Sequence, residues 1–419
     1  MPRRTYKKRA QRGGFKKYIL LSCPEFYNTV DRIMSEDTNI MLHGKPITKT
    51  ISEYNTDESL INPEEFAQFV EESGNNNKTL FLRDINNFES DRFNRGFVNW
   101  KTYNDKTPDI KMNSQTVTRL RGAKVIFLAY FSFNEPLATP IIDQLLFLNA
   151  LNHYGVAEIN IVLPYFPVGT MERIVGEGEI PTAYSLAHML NSIPEGTTKN
   201  NLYMFDIHAL CSRFFFHTNT RPILITMMSE YLKFIEAEYP VADNNHNIIV
   251  FPDDGAKKRF DKLLPPKTMK IVCGKTRQGE QRIIKIESGL EYLDMSKKLN
   301  LFVVDDLVQS GGTLLNTFDG IKNELVKLPG YQEANIKYVS IVTHSVFPTD
   351  KNLENFFKDR GPTTAKIHSL ITTNSRPLRT EAMQKTYGDR VKVLDISTGL
   401  AKIFIDIRDT NYITPYSLH

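Results

Sequence analysis

Residues 301–315 read LFVVDDLVQSGGTLL, and their order decides the fold. Leu301–Val304 is an apolar run of strand length, Gly311–Thr313 a turn, and Leu314, Leu315, Phe318 and Ile321 fall on one face of a helix. A buried strand that passes through a glycine turn into a helix is half of a βαβ unit. Between them stand two adjacent carboxylates, Asp305 and Asp306. Adjacent acids repel, so the end of a buried strand suits them only if something positive or rich in hydroxyls comes to occupy both. The backbone N–H groups from Gln309 through Ser310, Gly311 and Gly312 to Thr313 form a concavity for phosphate at the helix start. The two glycines allow close approach of the backbone. The acids cannot face that phosphate, so they are expected to accept hydrogen bonds from neighbouring sugar hydroxyls, directly or through a divalent metal. A sugar phosphate satisfies both halves. The competing reading is an ordinary strand-to-helix turn with solvated acids.

Outward from this stretch, apolar runs such as AKVIFLAYF (123–131), EINIVLPYF (158–166), NLYMFDIH (201–208) and NIIVFPDD (247–254) alternate with helical spacing. Several runs are apolar on both faces, as in a parallel sheet covered by helices on both sides. The expectation is an α/β protein of two doubly wound parallel-sheet domains. Their bounds are expected at 18–210, with an Asn/Asp/Glu-rich insertion at about 40–98, and at 211–410. A basic tail, 1–17, precedes them and a short tail, 411–419, follows. In such sheets ligands bind beyond the carboxyl ends of the strands, and there this chain repeatedly places polar residues: FDIH, FPDDG, VVDD.

The chain has 419 residues, 41% hydrophobic and 24% charged, which reads as soluble and globular. The net charge of +4 conceals an asymmetry, because residues 1–17 hold eight of the 52 Lys and Arg and no acid. That tail is read as a solvated extension, and any nucleic-acid contact is expected only through it. With no apolar run of membrane length and no apolar leader core, the expected location is cytoplasmic. Three distant cysteines suggest neither disulfides nor a zinc cluster.

VVDDLVQSGGTL is similar to the phosphoribosyl-diphosphate loop shared by phosphoribosyltransferases and ribose-phosphate diphosphokinases (PRPP synthetases). LPYFPVGTMERIVGEGEIPTAYSLAHML, FDIHAL, FPDDGAKKRF, CGKTRQGEQR and YVSIVTHSVFP follow the order and spacing of the second family, most closely its plant-type branch. The likeness covers about residues 97–410. It implies transfer of a diphosphoryl group from ATP to the 1-hydroxyl of ribose 5-phosphate, giving PRPP and AMP, with Mg2+ required and a homo-oligomer. The alternatives are a phosphoribosyltransferase that consumes PRPP through the same loop, and a catalytically silent regulatory homologue.

The resemblance also implies roles. Asp305, Asp306, Gln309, Ser310, Gly311, Gly312 and Thr313 bind ribose 5-phosphate. His208 and Asp253 hold the metal associated with the ATP phosphates; an imidazole is an unusual partner for Mg2+, which prefers oxygen. Asp206 and His208 are expected to share a face at the end of one strand. Lys275 and Arg277, on one side of an extended flap between Gly274 and Gly279, are the expected catalytic cations, placed where charge develops on phosphoryl oxygens. Gly274-Lys275-Thr276 imitates the end of a P-loop, but Met269 stands where that motif needs glycine. For ATP the candidates are Tyr103 and Asp105, presented to a neighbouring subunit, and Arg173 of GTMER.

Overall fold

The computed structural model describes residues 18–26, 29, 41–42, 45–46, 78–81, 83–84 and 97–400, apart from 113, 134, 136, 137, 243, 244, 279, 280 and 398. The basic tail 1–17, the short tail 411–419 and most of the 40–98 insertion lie outside the described residues.

Two sheets organise the chain. In the first, β1 (Tyr18–Ser22), β2 (Lys124–Leu128), β3 (Glu158–Leu163), β4 (Asn200–Phe205) and β5 (Thr220–Ile225) run parallel in the spatial order β5-β4-β3-β2-β1. Arg83–Asp84 pairs antiparallel with β1 at its edge. The second sheet has the order β8-β7-β6-β9-β10-β11-β12. Its strands are β6 (Asn245–Phe251), β7 (Met269–Gln278), β8 (Gln281–Ser288), β9 (Lys298–Val308), β10 (Ile336–Ser345), β11 (Ile367–Thr373) and β12 (Val391–Leu394). All are parallel to their neighbours except β8, which returns from β7 as a hairpin. Strand order reverses between β6 and β9, and such a reversal opens a crevice at the carboxyl ends of the two strands.

Among the described residues the α-helices are α1 (Ser114–Leu120), α2 (Ile141–Leu151), α3 (Thr182–Asn191), α4 (Met228–Glu238), α5 (Asp254–Phe260), α6 (Gly312–Leu325), α7 (Asp350–Phe357) and α8 (Pro377–Tyr387). Every residue of β3 and β4 is buried, as the two-sided apolar runs require. On α6 the expected stripe buries Leu314, Phe318 and Ile321 and extends to Leu325, each side chain contributing ~1.5–3 kcal/mol. On α3 Leu186 and Leu190 are buried while Met189 is 53% exposed.

The first sheet continues to Ile225, beyond position 210 where the sequence reading divided the chain. β5 carries Pro222, which cannot donate to a ladder; as an edge strand it tolerates the proline. The two halves share a core in which Phe205 and Ile225 of the first cluster with Phe302, Val339 and Ile341 of the second. Polar bonds cross the same seam. Thr343 Oγ1 donates to Asp206 Oδ2 at 2.6 Å, and His344 Nε2 donates to the Phe205 carbonyl at 2.9 Å. Burial in this seam pushes the His344 imidazole down to about 4.

Candidate active site

One pocket of about 890 Å³ lies at the reversal point between β6 and β9. Arg173, His208, Asp253, Asp305, Asp306 and the whole loop Gln309–Thr313 line it. Residues separated by up to 140 positions therefore meet where the topology predicts a ligand.

The loop has the geometry expected of a phosphate cradle. Gly311 is the N-cap of α6 at φ 83° and ψ −8°, a left-handed conformation open to glycine at little cost. A Cβ on Gly311 would also stand 2.6 Å from Phe356 Cδ2, so packing independently demands the missing side chain. The α6 helix is 14 residues long, so its unsatisfied N–H groups and positive dipole end are directed to the loop.

The acids depart from the sequence reading in one respect. The chain does not turn immediately after them: β9 continues to Val308, with Asp305 opposite Val342 and Leu307 opposite His344. Asp305 and Asp306 therefore project to opposite sides of the pleat. Asp305 Oδ1 accepts the Asp306 N–H at 2.9 Å, whereas Asp306 Oδ2 meets His208 Nδ1 at 2.9 Å. Burial, and next the charge of Asp306, pushes the Asp305 carboxyl well up. Burial presses Asp306 the same way, but the hydrogen bond with His208 and the nearby Arg259 charge prevail and hold it below the usual carboxylate range. The His208 imidazole is correspondingly raised, chiefly by its hydrogen bond with Asp306, against opposing desolvation. The adjacent acids thus differ in environment: Asp306 is paired with His208 of the other half, whereas Asp305 is raised by burial beside the Asp306 charge.

His208 reaches this position by an irregular path. Strand β4 ends at Phe205, and Asp206 takes φ 32°, so Asp206 and His208 do not share a strand face as expected. Asp206 turns inward, fully buried, and accepts from Met227 N at 3.0 Å as well as from Thr343. His208 turns out into the pocket, its side chain 40% exposed. Across the pocket Asp253 caps α5, its Oδ1 accepting the Ala256 N–H at 2.9 Å. Arg173 pairs with Glu172 at 2.7 Å, but its side chain is 75% exposed, so the pair holds it only weakly.

The remaining candidates lie on two hairpins. Lys275 and Arg277 occupy β7 within the hairpin, opposite Ile284 and Arg282. Tyr103 and Asp105 sit at the tip of a hairpin formed by strands Phe97–Thr102 and Pro108–Met112, with Tyr103 54% exposed. Asp105 braces that tip by accepting from Thr107 Oγ1 at 2.5 Å and from Thr107 N at 3.0 Å, which together lower its carboxyl from the usual value. Sequence reasoning missed Arg259 of α5, which lines the pocket and whose Nη2 donates to the His208 carbonyl. A third basic residue after Lys257 and Lys258 reads as a solvated helix end, and only burial distinguishes it.

The architecture has a counterpart among solved structures. Phosphoribosylpyrophosphate synthetase from Mycobacterium smegmatis superposes with a TM-score of 0.53 at 19% identity, over 74% of this chain and 89% of that one. That likeness defines the class: an α/β protein with the PRPP synthetase fold. No family model matches the chain. The mitochondrial ribose-phosphate pyrophosphokinase 3 of Spinacia oleracea is 38% identical over 295 residues, 69% of this chain and 66% of that protein. Ribose-phosphate pyrophosphokinase 4 of Oryza sativa subsp. japonica is 37% identical over 298 residues, 71% of this chain and 84% of that protein. The chain belongs to the ribose-phosphate pyrophosphokinase family. It spans a little under two thirds of the length of the spinach relative.

Proposed function

We propose that this chain is a ribose-phosphate diphosphokinase, transferring the diphosphoryl group of ATP to the 1-hydroxyl of ribose 5-phosphate to give PRPP and AMP. The observation that carries the reading is the gathering of a phosphate cradle, two differently tuned acids, His208, Asp253 and Arg173 in a single pocket. The amides of Gln309–Thr313 grip the 5-phosphate. Asp305 and Asp306 accept hydrogen bonds from the ribose hydroxyls, which orients the anomeric oxygen towards the nucleotide. Arg173, held only weakly by Glu172, turns to the ATP phosphates. Lys275 and Arg277 meet the charge that develops on the transferred and leaving oxygens, and positioning with electrostatics supplies most of the acceleration in such reactions.

Magnesium fits the donor set. Among the described residues no three His, Cys, Asp or Glu side chains form a metal cage, and Mg2+ characteristically takes one or two protein groups and completes its shell with phosphate oxygens and water. His208 and Asp253 are the residues proposed to hold it. When bound, it would neutralise phosphate charge and polarise the transferred group. The homo-oligomer is part of the proposal, because Tyr103 and Asp105 lie outside this pocket on a hairpin tip suited to a neighbouring subunit's nucleotide. Among the described residues no helix is long and apolar enough to cross a membrane. The cytoplasmic location and nucleic-acid contact through 1–17 alone also remain proposals; two relatives are named mitochondrial and chloroplastic, and imaging of a fluorescent fusion tests the location.

The deciding experiment incubates purified protein with ATP, Mg2+ and ribose 5-phosphate, follows PRPP and AMP by mass, and omits each component in turn. Equal AMP and PRPP, dependent on all three, supports the proposal. Release of ADP, or of AMP without the sugar, overturns it.

A further inference from the structure

Arg259 is 9% exposed, on a helix whose other two basic side chains reach solvent or its margin. Its Nη2 donates to the carbonyl of His208, and its Nη1 is buried with no hydrogen-bond partner among the described residues. Burying a guanidinium this incompletely satisfied costs stability, so stability alone is a poor reason to place it there. Its position offers a better one. Asp253 caps α5 and Arg259 lies in the last turn of the same helix, so one short rigid element connects Asp253 to the backbone of His208.

His208 lines the pocket from the first half, on an irregular segment that follows a residue with positive φ. Two bonds hold it: the ring to Asp306 and the carbonyl to Arg259. The ring bond fixes the side-chain rotamer. The carbonyl bond fixes the backbone from which the ring springs, and it crosses from one half of the chain to the other. We infer that Arg259 is a positioning residue that clamps the His208 backbone to α5, and so sets the distance between His208 and Asp253 on which affinity for metal-bound ATP depends. The inference rests on the proposed function. Arginine suits the task better than lysine, because its planar fork reaches a carbonyl with a fixed orientation that a flexible ammonium lacks.

The test compares wild type with Arg259→Lys and Arg259→Met by titration calorimetry of MgATP in the absence of ribose 5-phosphate, alongside steady-state kinetics and melting. Loss of a clamp weakens MgATP binding and raises its KM by about tenfold in Arg259→Met, roughly what a lost charged hydrogen bond gives. Arg259→Lys, which keeps the charge beside Asp306 but not the planar fork, falls between, and in that variant KM for ribose 5-phosphate stays within about twofold. A ring-nitrogen NMR signal assigned by a His208→Gln variant shifts in Arg259→Met, reporting the displaced imidazole directly. Equal rises in both KM values in Arg259→Lys, or a lowered melting temperature with unchanged MgATP affinity in either variant, overturns the clamp and assigns Arg259 to the core. If wild type makes no PRPP, the underlying function fails; the calorimetric and NMR comparison still decides the clamp.

Discussion

The two sheets are built from similar strands and differ in one topological respect. In the first, β1 to β5 step across the sheet in one direction; in the second, β6 and β9 lie side by side and the chain departs from them in opposite directions. The chemistry follows that difference. Asp253, Asp305, Asp306 and the Gln309–Thr313 loop all belong to the sheet that reverses, because only there do two strand ends open around a crevice. The first sheet contributes chiefly through the segments after β3 and β4, which bring Arg173 and His208 to the pocket. Strand composition alone does not make a binding site; the point where connections diverge does.

Four substitutions or conditions can break or sharpen this contrast. The largest effect is expected in the reversing sheet, on the hairpin: Lys275→Ala should lower kcat by on the order of 100-fold or more with modest change in KM. Near-normal turnover in a steady-state assay would remove Lys275 from the mechanism. Next comes Gly311→Ala, which forces a Cβ into both a left-handed backbone and the Phe356 ring. It should cost about 2 kcal/mol in urea unfolding and raise KM for ribose 5-phosphate by about tenfold; an unchanged KM would mean that the loop does not grip the sugar.

The third probes the seam. His344 is neutral in the folded chain down to about 4, whereas unfolded it titrates near the ordinary 6.5. Below that ordinary value the unfolded state binds the extra proton, so stability contributed by neutral His344 is present at higher pH and is lost as pH falls. Between pH 7.5 and 5.5 the loss from this group should be about 1.4 kcal/mol, seen as the difference in denaturant unfolding between wild type and His344→Gln. Parallel pH profiles would show that the seam does not depend on a neutral imidazole. The smallest effect belongs to the hairpin outside the pocket. Tyr103→Ala should change folding stability by less than about 0.5 kcal/mol yet raise KM for ATP about fivefold. An unaltered KM would confine Tyr103 to the surface.

The legible part of the fold was the part governed by local pattern. Apolar runs marked β2, β3, β4, β6 and β9, and the Leu314–Ile321 stripe marked α6. The Gly311 requirement was also legible, since a strand that turns into a helix around a phosphate needs backbone without a side chain. What escaped depends on neighbours far along the chain. β5 was not among the runs read as strands, and its place at the edge is set by tertiary order. The opposed directions of Asp305 and Asp306 depend on β9 continuing two residues further, held by its register with β10. Asp306 is 98 positions from His208, and Arg259 was indistinguishable from its exposed neighbours until the burial of α5 was known.

Pro222 has a consequence for how copies of this chain can meet. It stands on β5, the outermost described strand of the first sheet, where an uninterrupted ladder would invite a second molecule to continue the sheet. A ring nitrogen without hydrogen removes one rung and discourages that growth. At this edge the proline therefore works against an open-ended, fibre-like continuation of the sheet.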